Sequence, residues 1–176
     1  QTLNGSIKKY FSPIRTSIGL KCNFLDSHGV SLVNGALLNT ESLSYSLSPS
    51  LMVKVTEWLN VDYSMNHNKL YAYTDGRKRS EISYMRHFGK AFAFLSRNQT
   101  ASLTAEYYRH QGQPYVFVDA SYEFSIEKPD LNFEVRWNNI FNSKRYVSYF
   151  SGPYSVQETV YTLRPMEALA SVRFRF

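Results

Sequence analysis

The sequence predicts an all-β fold, an antiparallel up-and-down β-barrel of about eight strands in a single domain, 1–176. Apolar residues recur at every second position in a series of segments that begins near residue 10, and polar connections separate these segments. Successive side chains of a strand point to opposite faces, so each segment has one apolar and one polar face. No apolar run approaches the roughly 18 residues of a membrane-spanning helix.

The alternation is clearest in the first two segments. From Ile14 to Phe24 the even positions are mostly apolar, and the odd positions are mostly polar. From Leu43 to Val55 the odd positions are apolar, and a series of serines occupies the even ones. A helix would spread both sets around its circumference, so the pattern indicates strands. Similar segments follow at 59–65, 103–107, 116–126, 131–137 and 166–176.

The segment 81–96 is aromatic and typical of a strand, but its alternation is irregular. Arg86 and Lys90 share the parity of the aromatic residues Tyr84 and Phe88. A β-bulge inserts one residue and thereby reverses the face on which later side chains lie. We therefore predict a bulge near Gly89.

The connections predict two different sides of the barrel. Short polar turns are expected at Thr56-Glu57, 97–100 and 127–130. Longer loops are expected around 28–39, 73–79, 110–114 and 141–154. Short turns on one side and long loops on the other are typical of outer-membrane barrels. Both ends of the chain are expected on the short-turn side.

Alternation alone does not say whether the apolar face meets lipid or a dry core. The apolar segments have about the 9 to 11 residues that cross a bilayer at a tilt, which favours lipid. Aromatic residues such as Trp58, Tyr107 and Trp137 lie near segment ends, as interfacial girdles require. Residues predicted to face lipid are Leu47, Leu51, Val53, Val118, Tyr122, Phe133 and Val135.

The charged residues of the opposite face are predicted to line a wet lumen. They are Arg15, Lys21, Lys54, Asp62, Glu106, Asp119, Glu123, Arg136, Arg173 and Arg175. Such a surface selects a polar solute, or else it forms a hydrated or salt-bridged wall; both interpretations are open. The formal net charge is +6, but the basic residues are scattered, so nucleic acid is not an expected partner.

No pattern in the sequence predicts an enzyme. Cys22 is the only cysteine, so neither an intrachain disulfide nor a thiolate cluster is available. The four histidines have no spacing typical of a metal site, and no serine lies in a nucleophile-elbow motif. We therefore expect no catalytic residues, no metal site and no cofactor.

The end of the chain resembles a known family. The segment 166–176 alternates up to the aromatic Phe176, and Leu163-Arg164-Pro165 precedes it. Asn139-Ile140-Phe141-Asn142 comes before, followed by Lys144-Arg145-Tyr146. These motifs, in this order, resemble the C-terminus of TonB-dependent outer-membrane receptors, especially the large Bacteroidota-type barrels.

The resemblance implies a function, a location and partners. The chain would be the C-terminal barrel part of a nutrient transporter in the bacterial outer membrane. Its last strand would pair with the first to close the wall, and Ala170, Val172, Phe174 and Phe176 would form the β-signal that the barrel assembly machinery recognises. Further implied partners are outer-membrane lipid, a surface lipoprotein and, through a plug domain, TonB.

This chain departs from the family in having no plug domain and far fewer than the roughly 22 strands of such barrels. Two other functions are therefore considered. One is a self-contained eight-stranded outer-membrane barrel with a structural or binding role. The other is a soluble lipid-binding barrel whose apolar face points inward.

Overall fold

The computed structural model describes residues 1–128, 131–151 and 156–174 of the chain. The described residues form an all-β structure with eleven strands and one short 3-10 turn, Ser12–Ile14. The strands are β1 (Thr2–Phe11), β2 (Thr16–Val33), β3 (Ala36–Lys54), β4 (Leu59–Thr74), β5 (Arg77–Ser96), β6 (Gln99–His110), β7 (Gln113–Ile126), β8 (Leu131–Asn138), β9 (Arg145–Ser151), β10 (Val156–Thr162) and β11 (Glu167–Phe174). No helix in this part of the chain is long and apolar enough to cross a membrane.

Nine strands form one antiparallel sheet, and the other two form a separate hairpin. The sheet order is β1-β2-β3-β4-β5-β6-β7-β8-β11, while β9 pairs with β10. The predicted all-β, antiparallel, up-and-down organisation is therefore confirmed. All eight predicted segments are strands of this sheet, in β2 to β8 and β11.

The ninth strand, β1, lies before the predicted start of the strands. It pairs with β2 along its whole length, from Thr2 opposite Leu25 to Phe11 opposite Thr16. Its alternation was weak because Gly5 and Lys9 share a face with apolar residues. Cross-strand hydrogen bonding to β2 therefore establishes β1 where the hydrophobic pattern did not predict it.

The predicted closure between the first and the last strand does not form. β1 and β11 are the two edges of the described sheet. With nine strands of alternating direction, the first and the ninth run parallel, so an antiparallel ladder between them is impossible. Eight strands would have allowed that ladder. The missed strand β1 is thus the physical reason why the closure prediction is wrong.

The predicted long loops at 28–39, 73–79 and 110–114 are wrong. The strands continue through these segments and meet in tight turns at Asn34-Gly35, Asp75-Gly76 and Gln111-Gly112. Both residues of each turn have positive φ, for example 51° at Asn34 and 79° at Gly35. Two left-handed residues make a type I′ turn, whose twist matches that of the flanking strands. The turns on this side of the sheet therefore have only two residues each, and the strands that they join are longer than predicted.

The opposite side has the connections 12–15, 55–58, 97–98 and 127–130, as predicted for Thr56-Glu57 and 97–100. Pro129 and Asp130, in the predicted turn 127–130, lie outside the described residues. The predicted loop 141–154 contains strand β9, and its residues 152–155 also lie outside the described residues. Phe174 ends on this side, whereas Thr2 starts towards the other one, so the expectation for the N-terminal end is wrong.

No bulge occurs near Gly89, which pairs regularly with Tyr63 and with Ala105. The register shifts instead opposite Ala72/Tyr73 and at Phe94/Ser96. β5 therefore keeps its cationic and aromatic side chains on one face. They are compatible there because cations attract aromatic rings: Lys90 Nζ lies 4.2 Å from the Phe92 ring centroid.

The strands are staggered in one direction across the sheet. One row of cross-strand partners shows this stagger. It starts at the first residue of β2, on the side of the connections 12–15 and 55–58, and it reaches β11 close to the first residue of β11, which lies on the other side of the sheet. This row is Thr16, Val53, Val61, Ala91, Leu103, Ala120, Trp137 and Ala168. Such a progressive stagger is the shear of strands that tilt relative to a barrel axis.

The described sheet has almost no buried core. Ala72 is its only buried hydrophobic residue, and many large apolar side chains are exposed. A sheet with one apolar face normally buries that face against another layer. Here the apolar face of the described residues has no second layer.

Candidate functional site

The pairing register collects the predicted side chains onto two opposite faces. The apolar face includes all seven residues predicted to face lipid, together with Ala170, Val172 and Phe174; for example, Tyr122 pairs with Val135 and Phe133 with Val172. The polar face includes Lys21, Lys54, Asp62, Glu106, Asp119, Glu123, Arg136 and Arg173. Arg175 and Phe176 lie outside the described residues.

The apolar face is exposed along its whole width. Leu47 is 39% exposed, Val135 51% and Phe174 63%. These residues lie on β3, β8 and β11, so exposure is not confined to an edge. Leu47, Val118 and Phe174 all lie on this open face rather than in a dry centre.

Along the longer strands, this face is divided into two zones. Beside the connections 55–58 and 97–98, its residues are almost all apolar. Beside the type I′ turns it has charged side chains among the apolar ones, and Lys69 Nζ forms an ion pair of 2.7 Å with Glu81 Oε1. Lys69 also lies over the Tyr71 ring, 5.1 Å from its centroid. Aromatic and basic side chains at the end of an apolar zone are typical of a lipid–water boundary.

The polar face is a network of hydrogen bonds and ion pairs between neighbouring strands. Asn66 Nδ2 donates to Ser48 Oγ at 2.9 Å, and the hydroxyls of Ser102 and Ser121 lie 2.8 Å apart. Arg86 Nη2 donates to Glu106 Oε2 at 3.0 Å. Most of the buried or half-buried polar groups on this face therefore have partners within it.

Glu134, which sequence reasoning did not select, is a further ionic centre of the polar face. It accepts from Arg136 Nε at 2.5 Å and lies 3.5 Å from Arg173 Nη2. Arg136 and Arg173 lie on either side of Glu134 because β8 is paired with β11. The two predicted lumen arginines are thus neutralised in part by this one carboxylate.

Arg15 is not on a strand. It follows the 3-10 turn with φ 46°, and its guanidinium forms an ion pair with Glu57. Lys54 Nζ lies 2.6 Å from the other carboxylate oxygen of Glu57. Hydrogen bonds from Lys54 and Arg15 lower the pKa of Glu57 to about 2. The connections 12–15 and 55–58 are therefore joined by an ionised carboxylate.

The β9–β10 hairpin lies over the polar face. The Tyr146 ring on β9 is 5.8 Å from the Tyr108 ring and 5.2 Å from the Tyr115 ring, centroid to centroid. Tyr161 on β10 stacks on Tyr146 at 6.0 Å. Burial raises the pKa of Tyr146 above its ordinary value, because the charged phenolate is disfavoured away from water.

The motif Asn139–Asn142 fastens this hairpin to the sheet. The Asn139 amide Nδ2 donates to the carbonyls of Ser143 and Arg164, at 2.9 and 2.8 Å, so it connects the segments before and after the hairpin. Its Oδ1 accepts from the Ser143 backbone N–H, and its own N–H donates to Asp119 Oδ1. Asn142 Oδ1 accepts from the Met166 N–H at 3.1 Å. Both asparagines have positive φ, which this residue type tolerates.

A pocket of about 510 Å³ lies between the hairpin and the polar face. Its walls combine aromatic rings with carboxylates: Tyr108, Phe117 and Tyr146 with Glu106, Asp119 and Glu167. Asn138, Asn139, Leu163 and Arg164 complete the lining. Two predicted lumen residues, Glu106 and Asp119, thus belong to a defined concave site of the size that accommodates small solutes.

Sequence reasoning missed the hairpin because it treated 141–154 as a loop. Two signals could have indicated it: the tyrosines that recur between Tyr146 and Tyr161, and the asparagines at 139 and 142. Their partners include Tyr108 on β6 and Tyr115 and Asp119 on β7, twenty or more residues away in sequence. No local pattern predicts such contacts.

Comparisons of the chain with protein-family models, curated proteins and solved structures gave no match.

Proposed function

We propose that this chain is the C-terminal barrel part of a TonB-dependent outer-membrane transporter. One observation is central: nine neighbouring strands share an exposed apolar face, and the opposite face is hydrogen-bonded and charged. In the proposed barrel the apolar face meets lipid, and the polar face lines the lumen. A second protein layer could cover the apolar face instead of lipid, but the described residues contain no such layer.

The physics of a bilayer supports this arrangement. Exposed apolar patches above a few hundred Å² are rare in water, whereas lipid solvates them without cost. A membrane sheet must also satisfy every backbone group, so its edges must be paired. β1 and β11 therefore pair with further strands in the proposed barrel, in keeping with the roughly 22 strands of such transporters. The stagger of the strands agrees with such a tilted wall.

The two zones of the apolar face indicate an orientation. Strands β2 to β5 have 16 to 20 residues, more than the roughly 9 to 11 that a bilayer requires. Their surplus lies beside the type I′ turns, where the face becomes charged. We assign that end to the extracellular side, where such barrels extend furthest from the membrane, and the connections 55–58 and 97–98 to the periplasm.

In this arrangement the β9–β10 hairpin lies inside the lumen near its outer opening. It narrows the channel, and its pocket presents aromatic and acidic groups to an entering nutrient. Transport itself requires the plug domain and TonB, and a surface lipoprotein would deliver the substrate. β11, with Ala170, Val172 and Phe174 on the lipid side, acts as the assembly signal.

The assignment of the apolar face to lipid and of the polar face to the lumen is tested by one matched pair of arginine substitutions. Leu51 lies on the apolar face and Ser64, on the adjacent strand, lies on the polar face, one pair further along the β3–β4 ladder. Leu51→Arg is expected to lower the free energy of unfolding from lipid vesicles by about 2 to 4 kcal/mol, the cost of arginine near the bilayer centre. Ser64→Arg is expected to cost less than about 1 kcal/mol, because the lumen is hydrated.

The measurement is urea unfolding of the complete reading-frame product in vesicles, followed by tryptophan fluorescence. Equal losses for both variants would show that the two faces meet the same medium, and the proposed barrel would be wrong. A plug-encoding segment in the same reading frame supports the transporter. If that frame encodes a signal peptide directly before Gln1, a self-contained barrel with a binding role is supported instead.

A further inference from the structure

The half of the β2–β3 hairpin nearer its turn brings together an imidazole and two carboxylates. Asp26 and His28 are two residues apart on β2 and therefore lie on the same face. Glu41 on β3 is directly opposite His28 in the register. The three side chains belong to the charged zone of the apolar face, outside the zone assigned to lipid.

The donor atoms of this triad converge. One nitrogen of His28 and one carboxylate oxygen each of Asp26 and Glu41 all lie within 4.8 Å of one another. His28 Nε2 is 2.9 Å from Asp26 Oδ1, yet this oxygen is shielded from solvent and accepts no hydrogen bond from a described residue. The imidazole N–H therefore does not point at the carboxylate, although the two atoms are close.

The charge balance of the triad is also unusual. Glu41 is half-buried and forms no hydrogen bond or ion pair with the described residues. Two carboxylates next to one imidazole leave a net negative charge on neighbouring strands, which costs stability unless a cation is present. A proton on His28 would neutralise only one of them.

We propose that Asp26, His28 and Glu41 bind a divalent transition-metal ion, with Zn²⁺ as the best fit. Imidazole nitrogen and carboxylate oxygen are both zinc ligands, at about 2.0 to 2.2 Å. Donor atoms around such an ion lie roughly 3.4 Å apart, and the three donor atoms of this triad already lie within 4.8 Å of one another. Three protein ligands leave the fourth tetrahedral position for water.

The surroundings have room for that fourth ligand. A pocket of about 400 Å³ is lined by His28 and Glu41 with Gly29, Thr40 and Gly76. The ion would join β2 to β3 five residue pairs before the pair Val33–Ala36 that closes their turn, where the strands extend beyond the zone assigned to lipid. Its role would be a clip that holds the longest hairpin of the sheet in register, since a metal bound only by the folded state stabilises that state.

The sequence did not predict this site because its ligands come from two strands. The spacing of Asp26 and His28 alone is common on any strand. Glu41 joins them only through the register of the hairpin, which the tight turn at Asn34-Gly35 determines.

The proposal is tested by calorimetric titration of ZnCl₂ into the metal-stripped protein in detergent micelles. One equivalent is expected to bind to the wild type. His28→Ala and Glu41→Gln are each expected to weaken binding by more than tenfold, since removal of a direct ligand costs at least as much as loss of an outer-shell partner. The matched control is His67→Ala, which removes a histidine of the same face outside the triad.

Far-UV circular dichroism of each variant verifies that the sheet is retained, and the near-isosteric Glu41→Gln is chosen to preserve packing. Three results would overturn the proposal: no zinc binding by the wild type, unchanged affinity in either triad variant, or an equal loss in His67→Ala. Replacement of Zn²⁺ by Co²⁺ gives an independent reading, because a tetrahedral site with one nitrogen ligand produces visible absorption that His28→Ala should abolish.

Discussion

The polar and the apolar face of the sheet share one backbone, but they differ in what contacts their side chains. On the polar face, side chains bind one another: Glu106 accepts from Arg86 and from Tyr108. In the apolar zone of the other face, side chains are exposed and have few polar partners, the pair Tyr63–His87 being one exception at 2.6 Å. The polar face is therefore stabilised by contacts between its own side chains, whereas the apolar face depends on the medium that covers it.

The hairpin gives the largest expected effect on the polar face. Asn139→Gly keeps the left-handed backbone but removes the amide that connects Ser143 to Arg164. Loss of the three hydrogen bonds of this side chain is expected to destabilise the hairpin by about 1 to 3 kcal/mol, because each contributes roughly 1 kcal/mol net. Hydrogen exchange should accelerate in β9 and β10 while β2 to β5 stay protected. Equal acceleration everywhere would mean that the hairpin is not a separable unit.

The aromatic contacts of the hairpin give a second, smaller effect. Tyr146→Ala removes a ring that contacts Tyr108 and Tyr115, and aromatic pairs contribute about 0.5 to 1.5 kcal/mol each beyond the area they bury. We expect faster protease cleavage within 145–162, measured as a rate relative to wild type. Tyr122→Ala, on the exposed apolar face, is the matched control and should leave that rate unchanged.

The smallest expected effect is on the stability of the protein at low pH. The pKa of Glu57 is lowered to about 2, so the carboxylate contributes stability above its ordinary value near 4.5. That contribution is lost as pH falls from about 4.5 towards 2, since the unfolded state takes up the proton first. The group is fully exposed, so the change is small and decreases with salt. A pH titration of the unfolding midpoint should flatten in Glu57→Gln; an identical acid limb in both proteins would contradict the assignment.

Much of the sheet was predictable because its signal is local. Seven segments with period two and the irregular segment 81–96 became eight neighbouring strands, and in the seven regular segments the division of residues between two faces followed from parity. The tight turns were also within reach, since Asn34-Gly35 and Asp75-Gly76 are strong type I′ signals. Because long loops were predicted at 28–39 and 73–79 instead, the predicted strands were too short.

Other features were not predictable from local pattern. The strand β1 depends on its ladder to β2, because Gly5 and Lys9 interrupt its apolar face. The regular register at Gly89 depends on its pairing with Tyr63 and Ala105 on the two neighbouring strands. The anchor of the hairpin depends on Asp119 and on the rings of β6 and β7.

The sequence by itself determined the strands and the chemical difference between their faces, because the side-chain period of a strand is a property of the backbone. Only the tertiary structure decided the number of paired strands, the open edges, the hairpin over the polar face and the Asp26, His28 and Glu41 cluster. Each of these depends on cross-strand register and on contacts between residues far apart in the chain, and neither is encoded in any short stretch of sequence.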